Sequence, residues 1–243
     1  MHPDAFIEMA LVQDRHWWFA ARRSILASTI QRLRLPERAE ILEIGCGTGG
    51  NLAMLSKFGQ LQAMEYDATA RSIASNLNCC PVVAGGLPEA VPFDDHAFDL
   101  VCLLDVLEHI EDDRAALARA ARLLKASGQI LVTVPAYKWL WSAHDVTHHH
   151  YRRYSVEMLR HRALEAGLVV RRLGYFNSLL FPVIASARIT QNLVGSKMGS
   201  DAALPSPSVN ALLKWIFGLE RYITRYMLFP FGTSVMAVLS VAP

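Results

Sequence analysis

Charge is scarce in this sequence. Only 19% of its 243 residues are Asp, Glu, Lys or Arg, and 24 basic against 22 acidic side chains leave a formal net charge of +2. A nearly neutral chain carries no broad positive field, which excludes a dedicated nucleic-acid binder. Cysteine is sparse as well: Cys46, Cys79, Cys80 and Cys102 show none of the spacings of a metal site. They read as reduced thiols of a cytoplasmic protein, and no metal is expected. A membrane-spanning run is missing too, since the apolar stretch 176–187 is too short and Arg188 interrupts it. Residues 1–10 contain acids and no long apolar core, so no signal peptide is read there. Repeats and low-complexity tracts are absent. What the chain has in plenty is apolar residues, 52% of the total, enough for a substantial core in one large domain or a domain with an insertion.

The apolar residues fall in an alternating rhythm. Helical spacing runs over about 5–34, before Pro36. Strands are then expected near 40–44, 61–65, 80–84, 98–104, 129–134 and 168–176. Helices are expected near 49–58, 68–77, 112–124 and 155–166, with Gly167 as a helix stop. Such alternation predicts a parallel, doubly wound α/β sheet with its site at the carboxyl ends of the strands. From 177 to 231 the rhythm breaks: the segment is apolar, carries Pro182, Pro205, Pro207 and Pro230, and suits helices at 179–194 and 209–227 around a flexible loop at 195–208. A seventh strand at 234–241 is expected to close the sheet edge.

The densest chemical signal is Ile41-Leu42-Glu43-Ile44-Gly45-Cys46-Gly47-Thr48-Gly49-Gly50-Asn51, a strand running into a glycine-rich turn and a helix. Glycines there let backbone N–H groups approach a nucleotide that side chains would hold off. Glu65, about 20 residues after the first glycine, stands where a ribose-hydroxyl acceptor belongs. That much fits a nicotinamide or flavin dinucleotide equally well. Glu43 separates the readings. A carboxylate at the end of the first strand would repel a pyrophosphate, whereas S-adenosylmethionine brings an ammonium and a sulfonium.

Continuing through Met64-Glu65-Tyr66-Asp67, Val91-Pro92-Phe93-Asp94, Ala97-Phe98-Asp99-Leu100-Val101, Leu104-Asp105-Val106-Leu107-Glu108-His109-Ile110 and Leu124-Lys125-Ala126-Ser127-Gly128-Gln129-Ile130, the chain resembles class I S-adenosylmethionine-dependent methyltransferases over 38–176. The resemblance implies a Rossmann-like, doubly wound seven-stranded sheet with a helical insertion before the last strand. It divides the chain into a helical cap at 1–35, a core at 36–176 and 232–243, and an insertion or lid at 177–231. It also implies S-adenosylmethionine as cofactor and S-adenosylhomocysteine as product, held by Glu43, Gly45, Cys46, Gly47, Gly49, Glu65, Tyr66 and Asp105. Where many relatives have Gly-Asp after the third strand, this chain has Gly85-Gly86, and the adenine contact passes to the backbone at Leu87.

Methyl transfer to a hydroxyl needs a base, and histidine is the candidate. The patch Trp141 to Tyr154 follows the fifth strand and offers His144 and His150, with Asp145 to orient an imidazole and Arg152 and Arg153 to hold an anion. Its plain alternative is a polar surface loop, and a metal at His144, Asp145 and His148–His150 would require a folded arrangement of adjacent histidines. His109, past the fourth strand, suits either catalysis or pocket structure. The run His16-Trp17-Trp18-Phe19-Ala20-Ala21-Arg22-Arg23 offers an aromatic wall at Trp17 and Trp18 and an anion clamp at Arg22, or simply an amphipathic helix docked on the sheet. With His150-Tyr151-Arg152-Arg153-Tyr154 this run resembles a bacterial methyltransferase subgroup associated with cell-surface polysaccharide and lipid-linked sugars, which places Arg153 and Tyr154 at the acceptor. The expected reaction is O-methylation of a small or amphiphilic acceptor such as a glycolipid, a lipid-linked saccharide or a quinone-like metabolite. Apolar, aromatic and basic residues interleaved at 212–226 suit either a lid helix or peripheral contact with the anionic inner face of a membrane. A nucleotide-cofactor oxidoreductase and a catalytically silent binding module are the competing classes.

Overall fold

The computed structural model of the protein describes residues 3–194 and 204–242, with the side chains of residues 3–5, His144 and 191–194 left aside. Helix α1 (Pro3–Val12) and helix α2 (Trp17–Ile30) precede the first strand. The single helix expected over 5–34 is therefore two. Residues 13–16 turn between them, and the His16 side chain accepts from the Trp18 N–H as the cap that starts α2.

Strands β1 (Glu40–Ile44), β2 (Gln60–Glu65), β3 (Val82–Ala84), β4 (Phe98–Leu104), β5 (Leu124–Pro135), β6 (Leu168–Phe176) and β7 (Ser234–Val241) form one sheet in the order β3-β2-β1-β4-β5-β7-β6. All neighbours are parallel except β7, which runs antiparallel to both β5 and β6. The last strand thus does not close the edge: it slots inside, and β6 is the edge strand. Helices α3 (Leu52–Leu55), α4 (Ala68–Asn76), α5 (Asp113–Leu123), α6 (Ala143–Thr147) and α7 (Val156–Glu165) lie between strands, and α8 (Phe181–Val194) and α9 (Pro207–Thr224) lie between β6 and β7. Asp67, Asp112 and Ser155 cap α4, α5 and α7 through their side-chain oxygens.

The central strands read as continuous apolar runs because both faces of the sheet are covered. Successive residues go to opposite cores. Leu42, Ile44, Val101, Leu103, Ile130 and Val132 pack with Leu117, Leu123 and Leu159 of α5 and α7. Ile41, Leu100, Cys102 and Leu131 pack with Ile25, Leu26, Leu52 and Phe217 of α2, α3 and α9. Helix α3 is far shorter than the expected 49–58, and β5 begins five residues before the expected 129. Turns of 3₁₀ helix at Leu107–His109 and Lys138–Leu140, and the short α6, carry no helical periodicity of their own and were not foreseen.

Helices α2 and α9 pack side by side and are pinned by polar bonds. The Asn210 side chain accepts from the Trp17 N–H (2.9 Å) and donates to the Arg15 carbonyl (2.9 Å), and Ser28 Oγ donates to the Arg221 carbonyl (2.9 Å). Glu220 of α9 is fully buried, and its carboxylate accepts from the backbone N–H groups of Asn177, Ser178 and Leu179 at 2.7, 2.6 and 2.8 Å. That clamp fixes where the chain leaves β6 for α8.

Candidate active site at the carboxyl ends of the strands

The glycine turn after β1 is wired to β2. Gly45 and Cys46 donate their N–H groups to the Met64 carbonyl (2.8 and 3.2 Å), and Gly47 N–H donates to Glu65 Oε2 (2.8 Å). The other Glu65 oxygen accepts from Asp67 N–H at 2.9 Å. Gly47 (φ +56°) requires its glycine: the backbone is left-handed, and a Cβ there would meet nothing within 4 Å, so the turn faces open space. Gly45 (φ +66°) is crowded instead, since a Cβ would sit 2.9 Å from Val106 Cγ2.

Glu43 is buried beneath this turn, 1% exposed. Asn51 Nδ2 donates to its Oε1 at 2.8 Å, and Oε2 has no hydrogen-bond partner among the described residues. Burial raises its carboxyl to about 7, with Asn51 and Arg22 pulling down and Glu65 pushing up. A buried acid with one orphan oxygen suits a cationic ligand group. Cys46 is buried, its thiol held well above the usual value chiefly by burial and then by Glu43 and Glu65, so it is inert. Tyr66 is 82% exposed beside Gly86, and Leu87 is half-buried against the core.

The helical cap reaches over the same edge. Gln13 Oε1 accepts from Thr48 Oγ1 (2.7 Å), and Arg23 donates to the carbonyls of Gln13 (2.9 Å) and Gly50 (3.3 Å). Arg22, 4% exposed, pairs with Asp105 (2.8 Å) and donates to Thr133 Oγ1 (2.6 Å), which in turn donates to Asp105 Oδ1 (3.0 Å). The anion clamp expected at Arg22 is therefore closed on an internal carboxylate. The Trp17 ring meets Phe217 of α9 edge-on (6.0 Å), and Trp18 lies under the Arg22 guanidinium (5.1 Å). In this structure Trp17 packs the cap onto α9 instead of forming an open wall.

On the acceptor side the structure centres on Asp145, fully buried. Arg153 binds both of its oxygens (2.7 and 2.9 Å), His150 Nδ1 lies 2.9 Å from Oδ1, and Ser142 N–H donates to Oδ2 (2.8 Å). Although burial works against the charge, the hydrogen bonds from His150, Arg153 and Ser142 hold this carboxyl well below the usual carboxylate range. Arg153 is thus committed to Asp145 and does not reach outward as an anion holder. Tyr154 is a clearer correction. It is completely buried, and its hydroxyl donates to Asp113 Oδ2 (2.8 Å), so it is a core residue and not an acceptor contact. His144 has its backbone in α6, and its side chain lies outside the described part.

His109 and His150 meet edge to face at 4.6 Å and line an open cleft of about 550 Å³ with Trp141, His148 and Tyr151. Glu108, His109 and His150 each place one ligand-type atom within 4.8 Å of the others, a grouping different from the His144–Asp145–His148–His150 set considered above. Sequence reasoning missed an aromatic cluster just past β5. Tyr137 stacks on Tyr175 (4.9 Å) and on Trp139 (5.7 Å), with Phe181 of α8 edge-on to Trp139 (6.1 Å). Burial, then the Tyr175 hydrogen bond, pushes the Tyr137 hydroxyl up to about 12, so it stays protonated. Its position directly after a strand's carboxyl end was the available signal.

A family model described as a methyltransferase domain matches residues 18–173. A probable S-adenosylmethionine-dependent methyltransferase of Mycobacterium tuberculosis is 26% identical over 167 residues, covering 67% of this chain and 60% of that protein. A demethylmenaquinone methyltransferase of Mycobacterium bovis is 28% identical over 124 residues, 51% of this chain and 49% of the relative. The chain thus spans about half to 60% of the length of these curated relatives. Among solved structures, a putative methyltransferase in complex with the Haloferax volcanii Trm112 activator superposes with a TM-score of 0.64 at 19% identity, covering 99% of this chain and 96% of that one. The geranyl diphosphate C-methyltransferase of Streptomyces coelicolor superposes with a TM-score of 0.62 at 13% identity, covering 92% and 79%. At these identities the superpositions establish the fold.

Proposed function

The chain belongs to the methyltransferase domain family whose model matches residues 18–173, and from that premise we propose that it transfers a methyl group from S-adenosylmethionine to an oxygen of a small or amphiphilic acceptor. The observation that carries this reading is the buried Glu43 with its orphan oxygen, set beneath a glycine turn whose Gly47 faces open space. Glu43 suits the ammonium of the cofactor and would repel a dinucleotide's pyrophosphate. Glu65, held by the Gly47 and Asp67 N–H groups, would accept from the ribose hydroxyls. The Gly45, Gly47 and Gly49 backbone, Cys46, the exposed Tyr66, the Leu87 backbone and Asp105 complete the cofactor side. When bound, the cofactor supplies a sulfonium-activated methyl group, and the protein's work is alignment and proton transfer.

His150 is the candidate base. Its Nδ1 lies 2.9 Å from Asp145 Oδ1, which fixes the ring's orientation at the edge of the cleft. Arg153 already neutralises Asp145, so the carboxylate acts mainly to orient the ring. His109, edge-on to His150, limits how that ring turns. The Tyr137–Trp139–Phe181 cluster offers an apolar aromatic surface in the stretch that follows β5, which favours a lipid-linked saccharide, glycolipid or quinone-like acceptor over a fully polar one. The outer face of α9 leaves Leu212, Trp215 and Tyr222 exposed, a surface suited to peripheral contact with a membrane that carries such an acceptor. No helix among the described residues is long and apolar enough to cross one.

Calorimetric titration tests the core of the reading. S-adenosylmethionine and S-adenosylhomocysteine should bind saturably, NADH should not, and Glu65→Ala should weaken both adenosyl ligands. Binding of NADH alone would overturn it in favour of an oxidoreductase. Saturable adenosyl binding with no turnover across quinone and glycolipid acceptors would favour a silent binding module. Once turnover is found, His150→Ala should lower kcat by roughly 10²–10⁴-fold. Turnover that survives this exchange unchanged would remove His150 as the base.

A further inference from the structure

At the opposite end of the sheet from the glycine turn, four arginines from three separate elements converge. Arg32 follows α2, Arg171 and Arg172 lie near the start of β6, and Arg225 ends α9; with Gln129 and Tyr226 they line a groove of about 270 Å³. Eight other arginines of the described chain have a carboxylate within 4.0 Å. None of these four does, among the described residues. Their partners are neutral. Arg171 Nε donates to Ser240 Oγ (2.8 Å), Arg172 donates to the Thr224 carbonyl, and Arg32 and Arg225 lie over the Tyr226 ring at 4.8 and 5.1 Å. Arg225 Nε is buried with no hydrogen-bond partner among the described residues.

The backbone is shaped to make this cluster. In a regular strand consecutive side chains face opposite sides, so Arg171 and Arg172 should diverge. Instead the β6–β7 register slips between Val170, opposite Leu239, and Arg172, opposite Val238. Arg171 is the extra residue of this bulge, and both arginines line the same groove. Desolvation, followed by the nearby Arg32 charge, lowers the proton affinity of Arg172, the mark of like charges gathered without a counter-ion.

Guanidinium forks match phosphate oxygens two at a time, and four of them around a small groove match a doubly or triply charged group. The volume admits one or two phosphoryl groups, not a nucleic-acid strand. We propose that the groove of Arg32, Arg171, Arg172 and Arg225 is a binding site for a phosphate or diphosphate group, separate from the methyl-transfer edge. Exposed Tyr222 and Ile223 on the last turn of α9, and exposed Met227 just beyond it, flank Arg225 and Tyr226 in sequence, so the phosphate's carrier is either an amphiphile or a free anion, and the chemistry at the groove is the same.

Inorganic pyrophosphate is the probe, titrated at low salt against sodium sulfate of equal ionic strength. The wild-type chain should bind pyrophosphate saturably, sulfate at least tenfold more weakly, and an R171Q/R172Q variant should lose at least tenfold in pyrophosphate affinity. S-adenosylhomocysteine binding by the variant reports that it is folded, since neither arginine belongs to the cofactor edge. Displacement of pyrophosphate by phosphatidylglycerol vesicles, but not by phosphatidylcholine vesicles, assigns the site to a lipid headgroup. Binding undisturbed by either vesicle assigns it to a free phosphate compound. Failure of pyrophosphate to bind, or equal affinity in the folded R171Q/R172Q variant, overturns the proposal.

Discussion

Glu43 shows how one side chain can weaken the fold and serve the site. Its carboxyl titrates near 7 in the folded chain against 4.5 in the unfolded one, mainly because it is buried. The native state therefore keeps a proton that the unfolded chain has released. The Glu43 contribution to stability is greatest below pH 4.5, falls as pH rises through 7, and levels off above, a loss of about 3 kcal/mol at most. Glu43→Gln should raise the melting temperature at pH 8 by roughly 5 °C while weakening S-adenosylmethionine by tenfold or more. Wild-type affinity should also decline as pH drops from 8 to 6, because the charged form is the one that receives a cation. Scanning calorimetry and titration at both pH values check this; a lower melting temperature in the variant would contradict it. Asp145 has the opposite sign. Held below the ordinary 3.8, it contributes stability that is full at neutral pH and lost only in strong acid. Asp145→Asn leaves the Arg153 charge buried without its partner and should cost about 3–5 kcal/mol in urea unfolding at pH 7. That difference should shrink below about pH 3.

Among the elements, the insertion between β6 and β7 hangs on one carboxylate. Glu220 takes three backbone N–H groups at 177–179, where Asn177 adopts a left-handed φ of 56°. Glu220→Ala strands those donors in a buried place and should cost about 2–4 kcal/mol. Amide exchange at Asn177, Ser178 and Leu179 should accelerate ahead of exchange in β1 or β4; uniform acceleration would assign Glu220 a general packing role. Several strands were legible from sequence because an apolar-rich run ends at glycine, proline or an acid, as β1 does at Gly45, β3 at Gly85, β4 at Asp105 and β5 at Pro135. The break at 13–16 was not, because apolar spacing continues across it and the cap is a histidine. The place of β7 was not legible either: its run marks a strand, but pairing with β5 on one side and β6 on the other is decided by partners far away.

Across the whole molecule, the cofactor edge could be read because its glycines and Glu43 lie within one short stretch. The acceptor side misled because its polar groups find partners from distant segments. Tyr154 looked like a polar tip beside two arginines until Asp113, 41 residues earlier, claimed its hydroxyl. Arg22 looked free until Asp105 met it. The same long-range closure makes the cap part of the site: Gln13 and Arg23 bridge to the glycine turn, so ligand and cap should stabilise each other. S-adenosylhomocysteine should slow proteolysis within 13–16 several-fold, and unchanged cleavage would detach the cap from cofactor binding. The pairing of α2 with α9 carries a further consequence for synthesis. Trp17 and Asn210 meet across 193 residues. At about 5–20 residues per second, α2 waits roughly 10–40 s on the ribosome for the helix that covers it. During that interval Trp17 is without Phe217, the ring it packs against in the finished fold. A chaperone that shields N-terminal aromatic segments should therefore raise the yield of this protein more than one acting after release.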